Sequence, residues 1–324
     1  MPDSGTRPDL AAIKEAAERI SGLVHRTPLL RSRSLDRMFD GKLHCKCEHL
    51  QRVGAFKARG AANAVFSLSD KELGKGVATH SSGNHGAAVA LAAGTRGTQA
   101  WVVMPENAPA VKRRAVESYG ANIVSCRPGL ANREAALQKL VDEKGVQVIH
   151  PYNDYRVIAG QGTVALEIME QQGDIDLLLV PVGGGGLLSG SLLVIKELRP
   201  QVQVIGIEPA CADDARQSLD SGERVIIDSP DTIADGLRAS LGDKTFPIIA
   251  ELVDDIVTVS EDAIRDATRL VWERMKQLIE PSAAVPVAAL LEQQIELKGR
   301  RAALVFTGGS VDLDRLPWQQ REGP

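Results

Sequence analysis

Between Asp9 and Gly22 the apolar residues Leu10, Ile13, Ala17 and Ile20 recur at helical spacing, with an N-cap type in front and a residue suited to a helix end behind. The spacing predicts a first amphipathic helix. From Val77 onward apolar runs alternate with helical stretches: a run over 100–104, a helix over 111–119 ended by Gly120, a run over 123–125, a helix over 133–144 and a run over 146–149. A second series follows, with helices over 163–172, 187–198 and 261–279 and apolar runs over 177–182, 202–207 and 302–306. Strands alternating with helices predict a parallel sheet, and near-continuous apolar strands are expected where helices cover both of its faces. No fixed-period repeat interrupts the series. The expected fold class is α/β, with two open parallel-sheet domains and a ligand in the cleft between them, near the C-terminal ends of the strands.

Composition narrows the ligand. The chain has 324 residues, is 44% hydrophobic and 25% charged, and carries a net charge of −4. That balance offers no basic excess for nucleic acid or an anionic membrane, so a small molecule is the expected partner. No stretch approaches the roughly 18 apolar residues of a bilayer span, and a soluble, cytoplasmic protein is expected. The four cysteines, Cys45, Cys47, Cys126 and Cys211, form no CxxC pair and read as free thiols.

Three segments carry candidate chemistry. After the run LLLVPV come Gly183, Gly184, Gly185 and Gly186, and then a helix beginning at Leu187. Glycines between a strand and a helix let backbone N–H groups approach an anion at the positive end of the helix dipole, so a phosphate site is expected. The run lacks the Lys-Ser/Thr of a P-loop and the spacing of a dinucleotide fold. Lys57 lies in an Ala-rich helix after Gly54, flanked by Ala55, Phe56 and Ala58. Taken alone it reads as an ordinary solvated helix lysine; in apolar company it would be held neutral, the form that condenses with an aldehyde. In THSSGNHG, Ser81, Ser82 and Asn84 precede a helix starting near His85, a cradle of hydroxyls, an amide and free N–H groups suited to a carboxylate.

The segments GAFKARGA, THSSGNHG, HPYNDYRVIAGQGT, PVGGGG, EPACADD, TIADGLRASLG, LVWERMKQLIEPSAA and FTGGSVD, in this order, resemble the serine racemase and serine/threonine dehydratase family of pyridoxal-phosphate (PLP) enzymes, of tryptophan-synthase-β-like fold. The likeness runs from about Arg26 to Leu313. It implies a large PLP-binding domain over 1–76 and 151–324, a small α/β domain over 77–150, and a homodimer. It implies that Lys57 carries the cofactor as a Schiff base and later acts as acid and base, with Phe56 against the ring. Gly183 to Leu187 would bind the phosphate. Ser81, Asn84 and His85 would face the substrate carboxylate and the phenolic oxygen, with Glu280 nearby. Thr307 would stand opposite the pyridine nitrogen, where serine is commoner; a neutral hydroxyl leaves the ring a weaker electron sink, which suits prompt β-elimination.

Ser82 chooses within the family. Dehydratases restricted to L-threonine resemble SAGNH, whereas racemase-like members carry SSGNHG. A hydroxyl opposite Lys57 can return a proton from the other face and invert the α-carbon. The implied function is a serine racemase with serine dehydratase activity; 3-hydroxyaspartate ammonia-lyase or L-threonine/L-serine dehydratase is the alternative. Arg133 matches an arginine that contacts a second substrate carboxylate, and reads equally as an exposed arginine in a first helical turn. Glu208, Ala212 and Asp214 match a hard-cation site for Mg2+, Ca2+ or Mn2+; spacing alone would make them a solvated acidic loop. Tyr152, Ala239 and Ser310 depart from the family pattern and put substrate choice in doubt. A cysteine-synthase-like protein, which would resemble TSGNT at the asparagine loop, and a non-catalytic cofactor carrier are the rivals.

Overall fold

A computed structural model describes residues 5–81, 83–108 and 110–319. Ten strands are present among these residues: β1 Leu29–Leu30, β2 Lys42–Lys46, β3 Val77–His80, β4 Ala100–Pro105, β5 Asn122–Cys126, β6 Gln147–Val148, β7 Leu177–Pro181, β8 Gln203–Pro209, β9 Asp255–Val259 and β10 Arg301–Val305. They form a six-stranded sheet in the order β1-β2-β10-β7-β8-β9 and a four-stranded sheet in the order β5-β4-β3-β6. All pairings are parallel except that of β1 with β2, an antiparallel edge that the βα pattern does not anticipate. β7, LLLVP, is buried along its whole length, as a strand covered by helices on both faces must be. No helix among the described residues is long and apolar enough to cross a membrane.

The N-terminal helix is Leu10–Ile20, with the Asp9 carboxylate accepting from the Ala12 amide at 2.8 Å. Two helices depart from the expected bounds. One runs over Tyr155–Gln171, starting ahead of Thr163, because Gly160 and Gly162 sit inside it as helix-crossing points and not as breakers. A Cβ on Gly160 would lie 2.6 Å from the Arg59 carbonyl oxygen and from the Gly60 Cα. A Cβ on Gly190 would lie 2.5 Å from the Gly162 nitrogen. The Tyr155–Gln171 helix is thus pressed, backbone to backbone, between the Lys57–Phe66 helix and the Gly186–Leu198 helix. The other departure is the Glu261–Met275 helix, which stops at Lys276 in the left-handed region (φ 59°) instead of reaching Ile279. The break lets Glu280 sit in front of the next helix, Pro281–Leu291, with proline at its first position.

A buried ionic cluster anchors the Lys57–Phe66 helix. Arg59 is fully buried and donates to Glu48 (Nε 2.8 Å, Nη2 2.8 Å) and to Glu167 (Nη1 2.7 Å, Nη2 3.0 Å). Lys46, also fully buried, donates to Glu167 at 2.5 Å and to the Thr27 carbonyl at 2.9 Å. Each buried charge therefore faces an opposite one, which is what makes such burial tolerable.

Candidate active site

Four loops that follow parallel strands meet at one place: 81 and 83–84 after β3, 149–154 after β6, 182–185 after β7 and 306–310 after β10. Carboxyl ends of strands are where open α/β sheets collect ligands. Lys57, first residue of its helix, donates from Nζ to the Pro151 carbonyl at 2.8 Å, with the amine 5.1 Å from the Phe56 ring centroid. Lys57 is only partly exposed, and desolvation lowers its pKa to about 8, against an opposing pull from Glu280. Phe56 is fixed from behind, its amide donating to the Thr307 carbonyl at 3.0 Å. Thr307 is buried just past β10.

Tyr152, next to the carbonyl that holds Lys57, covers the glycine loop. A Cβ on Gly184 would lie 2.3 Å from its ring, and one on Gly186 would lie 3.1 Å from its Cβ. Only Gly185 is glycine for conformational reasons, at φ 86°. A Cβ on Gly183 would lie 3.0 Å from the Leu237 Cα, so that position is glycine for close approach, like Gly184. The amides of Gly183, Gly184, Gly185, Gly186 and Leu187 have no acceptor among the described residues, and they stand at the N-terminus of the Gly186–Leu198 helix. This is an anion site by construction.

On the opposite side Asn84 opens the Asn84–Thr95 helix and donates from Nδ2 to both oxygens of Glu280, at 3.0 and 3.3 Å. Ser310 donates from its hydroxyl to Asn84 Oδ1 at 2.7 Å. Glu280 is buried, which raises its pKa, and Lys112 opposes the rise. Burial alone would push the Lys112 pKa down, but Asp235 and Glu280 more than offset it, and Lys112 is ion-paired to Asp235. Ser81 accepts at its hydroxyl from the Gly83 amide at 3.1 Å. Ser82 lies outside the described residues.

His85 is buried with Nε2 3.1 Å from the Ile149 carbonyl, so the ring proton sits on Nε2, and burial holds its pKa well below the usual range. It is therefore neutral. Desolvation also lowers His80 to about 4 and His150 to about 3; their rings meet edge to face at 5.5 Å. Arg133, half-buried on the Leu130–Lys144 helix, has no ion-pair partner among the described residues, and its charge adds to burial in lowering His80. Its charge also acts on Tyr152.

Sequence reasoning missed Lys112 and Asp235 as members of the site. Asp235 stands in one of the quoted segments, TIADGLRASLG, but nothing in the spacing marks Lys112. The candidate cation residues lie elsewhere. Glu208 ends near the N-terminus of the Asp214–Ser221 helix and accepts from the Ala215 and Arg216 amides at 3.2 and 2.7 Å. Asp214 accepts from the Leu241 amide at 3.1 Å. Burial raises Glu208 to about 9 and Asp214 to about 7, and no basic side chain bonds either carboxylate among the described residues. Among those residues there is no group of three or more His, Cys, Asp or Glu side chains able to hold a metal ion.

A lysine amine held near neutrality, beside an anion-binding helix N-terminus on an α/β scaffold, is the equipment of an enzyme that uses a phosphorylated aldehyde. A family model described as pyridoxal-phosphate dependent enzyme matches residues 20–308, and the chain belongs to that family. The serine racemase of Dictyostelium discoideum is 46% identical over 311 residues, 95% of this chain and 96% of that protein. The beta-hydroxyaspartate dehydratase of Paracoccus denitrificans (strain Pd 1222) is 45% identical over 303 residues, 94% and 96% of the two chains. The structure of maize serine racemase matches with a TM-score of 0.94 at 44% identity, covering 97% of each chain. The expected α/β fold of tryptophan-synthase-β type thus holds.

Proposed function

We propose that this enzyme racemises serine and also eliminates its β-hydroxyl to give pyruvate and ammonia. The observation that carries the reading is the placement of Lys57, tied to the Pro151 carbonyl at 2.8 Å beside the tyrosine that covers the glycine loop. The site fits PLP. Free amides of Gly183 to Leu187 suit its phosphate, Lys57 its aldehyde carbon, Asn84 its phenolic oxygen and Thr307 its ring nitrogen. When bound, the cofactor supplies a carbonyl for the substrate amine and an electron sink for charge at the α-carbon.

The chain's own residues do the rest. Lys57 Nζ takes the α-proton on one face, and desolvation, by lowering its pKa to about 8, makes the neutral form that this needs easier to reach. Ser82 serves the other face as the second acid and base. Ser81 and the N–H groups at the start of the Asn84–Thr95 helix hold the substrate carboxylate. His85, being neutral, adds no charge beside Lys57. Thr307 offers no carboxylate to the ring nitrogen, which favours prompt departure of the β-hydroxyl. The two sheets are proposed to belong to a large domain, 1–76 with 151–324, and a small one, 77–150, and by the same resemblance the protein is proposed to be a cytoplasmic homodimer.

One observation favours a second substrate. Arg133 has no ion-pair partner among the described residues, and its charge acts on His80 and Tyr152 beside the site, where a receptor for the second carboxylate of 3-hydroxyaspartate would stand. The test is a parallel assay of L-serine, D-serine, L-threonine and 3-hydroxyaspartate, following keto-acid release and, from L-serine, D-serine. D-serine formation with pyruvate release is expected. Keto acid without any D-serine would overturn the racemase reading in favour of a dehydratase.

The acidic pair is proposed to hold Mg2+, with Glu208, Asp214 and the Ala212 carbonyl as ligands and water completing the shell. What supports it is two buried carboxylates with no basic side chain bonded to either. Such an ion would brace the loop after β8, away from Lys57.

A further inference from the structure

Ser310 stands where the resembling family has asparagine, and the sequence alone gives it no role. In the structure its hydroxyl donates to Asn84 Oδ1 at 2.7 Å, and its backbone lies near enough to the Glu280 carboxylate to oppose the rise of that group's pKa. The loop that carries it is wrapped tightly around Glu280: the Glu280 amide donates to the Gly308 carbonyl at 2.9 Å, and a Cβ on Gly308 would lie 2.4 Å from Glu280 Oε1. β10 and the loop after it therefore hold Glu280 and Asn84 against each other through one residue.

Counting donors shows what this does. A side-chain amide has two N–H donors and one carbonyl acceptor. Both Asn84 contacts to Glu280 run to the two oxygens of a single carboxylate. Those oxygens subtend too narrow an angle at the nitrogen to take one hydrogen each, so a single N–H serves both and the other is left over. The Ser310 hydroxyl occupies the carbonyl end. With the oxygen tied by a donor and one N–H tied by an acceptor, the amide cannot turn over without facing oxygen to oxygen at Glu280.

We propose that Ser310 is a positioning residue that locks the Asn84 amide so that its remaining N–H is aimed at the phenolic oxygen of the cofactor. The inference rests on the PLP site proposed above. A donor at that oxygen favours its ionised form over its protonated one, and the two forms absorb differently, in the visible and in the near ultraviolet.

The experiment is an absorbance comparison of wild-type holoenzyme with Ser310→Ala and Ser310→Thr at one pH, with melting temperatures taken on the same samples. Ser310→Ala is expected to lower the ratio of visible to near-ultraviolet absorbance about fivefold, the factor that one net hydrogen bond supplies. Ser310→Thr, which keeps the hydroxyl, is expected to restore the wild-type ratio. A Ser310→Ala spectrum identical to wild type would overturn the proposal, as would an equal change in Ser310→Thr. Lys57→Ala is measured alongside: retention of the lysine-bound visible band in that variant would remove the site reading itself, and the role of Ser310 with it. A change in melting temperature with no change in the band ratio would make Ser310 structural only and reject the proposal.

Discussion

The acid and base roles proposed for Lys57 and Ser82 each predict a separable loss. Lys57→Ala should abolish the lysine-bound visible band and reduce turnover of every substrate, by about a hundred- to ten-thousandfold if only its acid and base role counted. Ser82→Ala should cost racemisation and D-serine elimination about a hundredfold while sparing L-serine elimination. Assays with each enantiomer separate the two; equal losses on both would defeat the picture of two faces. The Lys57 pKa of about 8, against an ordinary 10.5, also sets a pH dependence for the protein before the cofactor is bound. Only the neutral amine condenses, so PLP uptake should quicken as pH rises toward 8 and level off above it, as followed by stopped-flow absorbance. The stability effect has the matching sign. Charging this amine is harder in the fold than in the unfolded chain, so its contribution is complete above 10.5 and is lost as pH falls through about 8.

At the scale of elements, the glycines of the Tyr155–Gln171 helix should be among the least replaceable residues away from the chemistry. Gly160→Ala would drive a methyl into the backbone of the Lys57–Phe66 helix, and a loss of about 2 kcal/mol or more is expected by chemical denaturation. By contrast Gly22→Ala meets no atom within 4 Å and should change stability little. Strands and amphipathic helices were legible in the sequence because a period of apolar residues survives whatever packs against it; the Leu10–Ile20 helix and β7 are examples. The glycine pairs were not, since a glycine that marks a crossing and one that marks a break are the same letter, and only the partner helix tells them apart. The same holds for the site. Lys57, Asn84 and the glycine loop stand in recognisable segments, but Lys112 and Ser310 earn their places through partners more than a hundred positions away, Asp235 and Asn84. The halt at Lys276 was not legible, because Pro281 disfavours helix only at Glu280, which the expected helix already stopped short of.

For the whole molecule, the cluster of Arg59 and Lys46 with Glu48 and Glu167 ties β2, the Lys57–Phe66 helix and the Tyr155–Gln171 helix into one body. Arg59→Ala would leave buried carboxylates without their main counter-charge, and a loss of about 3–5 kcal/mol is expected, read from denaturant midpoints. Its companion prediction concerns the acidic pair after β8. Adding Mg2+ to metal-stripped protein should raise the melting temperature, and Glu208→Gln with Asp214→Asn should remove that response. Beneath both lies the stack of three helices whose crossings are glycine on glycine. Because the backbones touch at these glycines, the separation between the lysine and the glycine loop is set largely by covalent geometry and peptide thickness, like the gap of a caliper closed on a gauge block. Substitutions on the substrate side can then retune what the enzyme accepts while the span that must match the cofactor stays fixed, so selection is free to alter diet without recalibrating the tool.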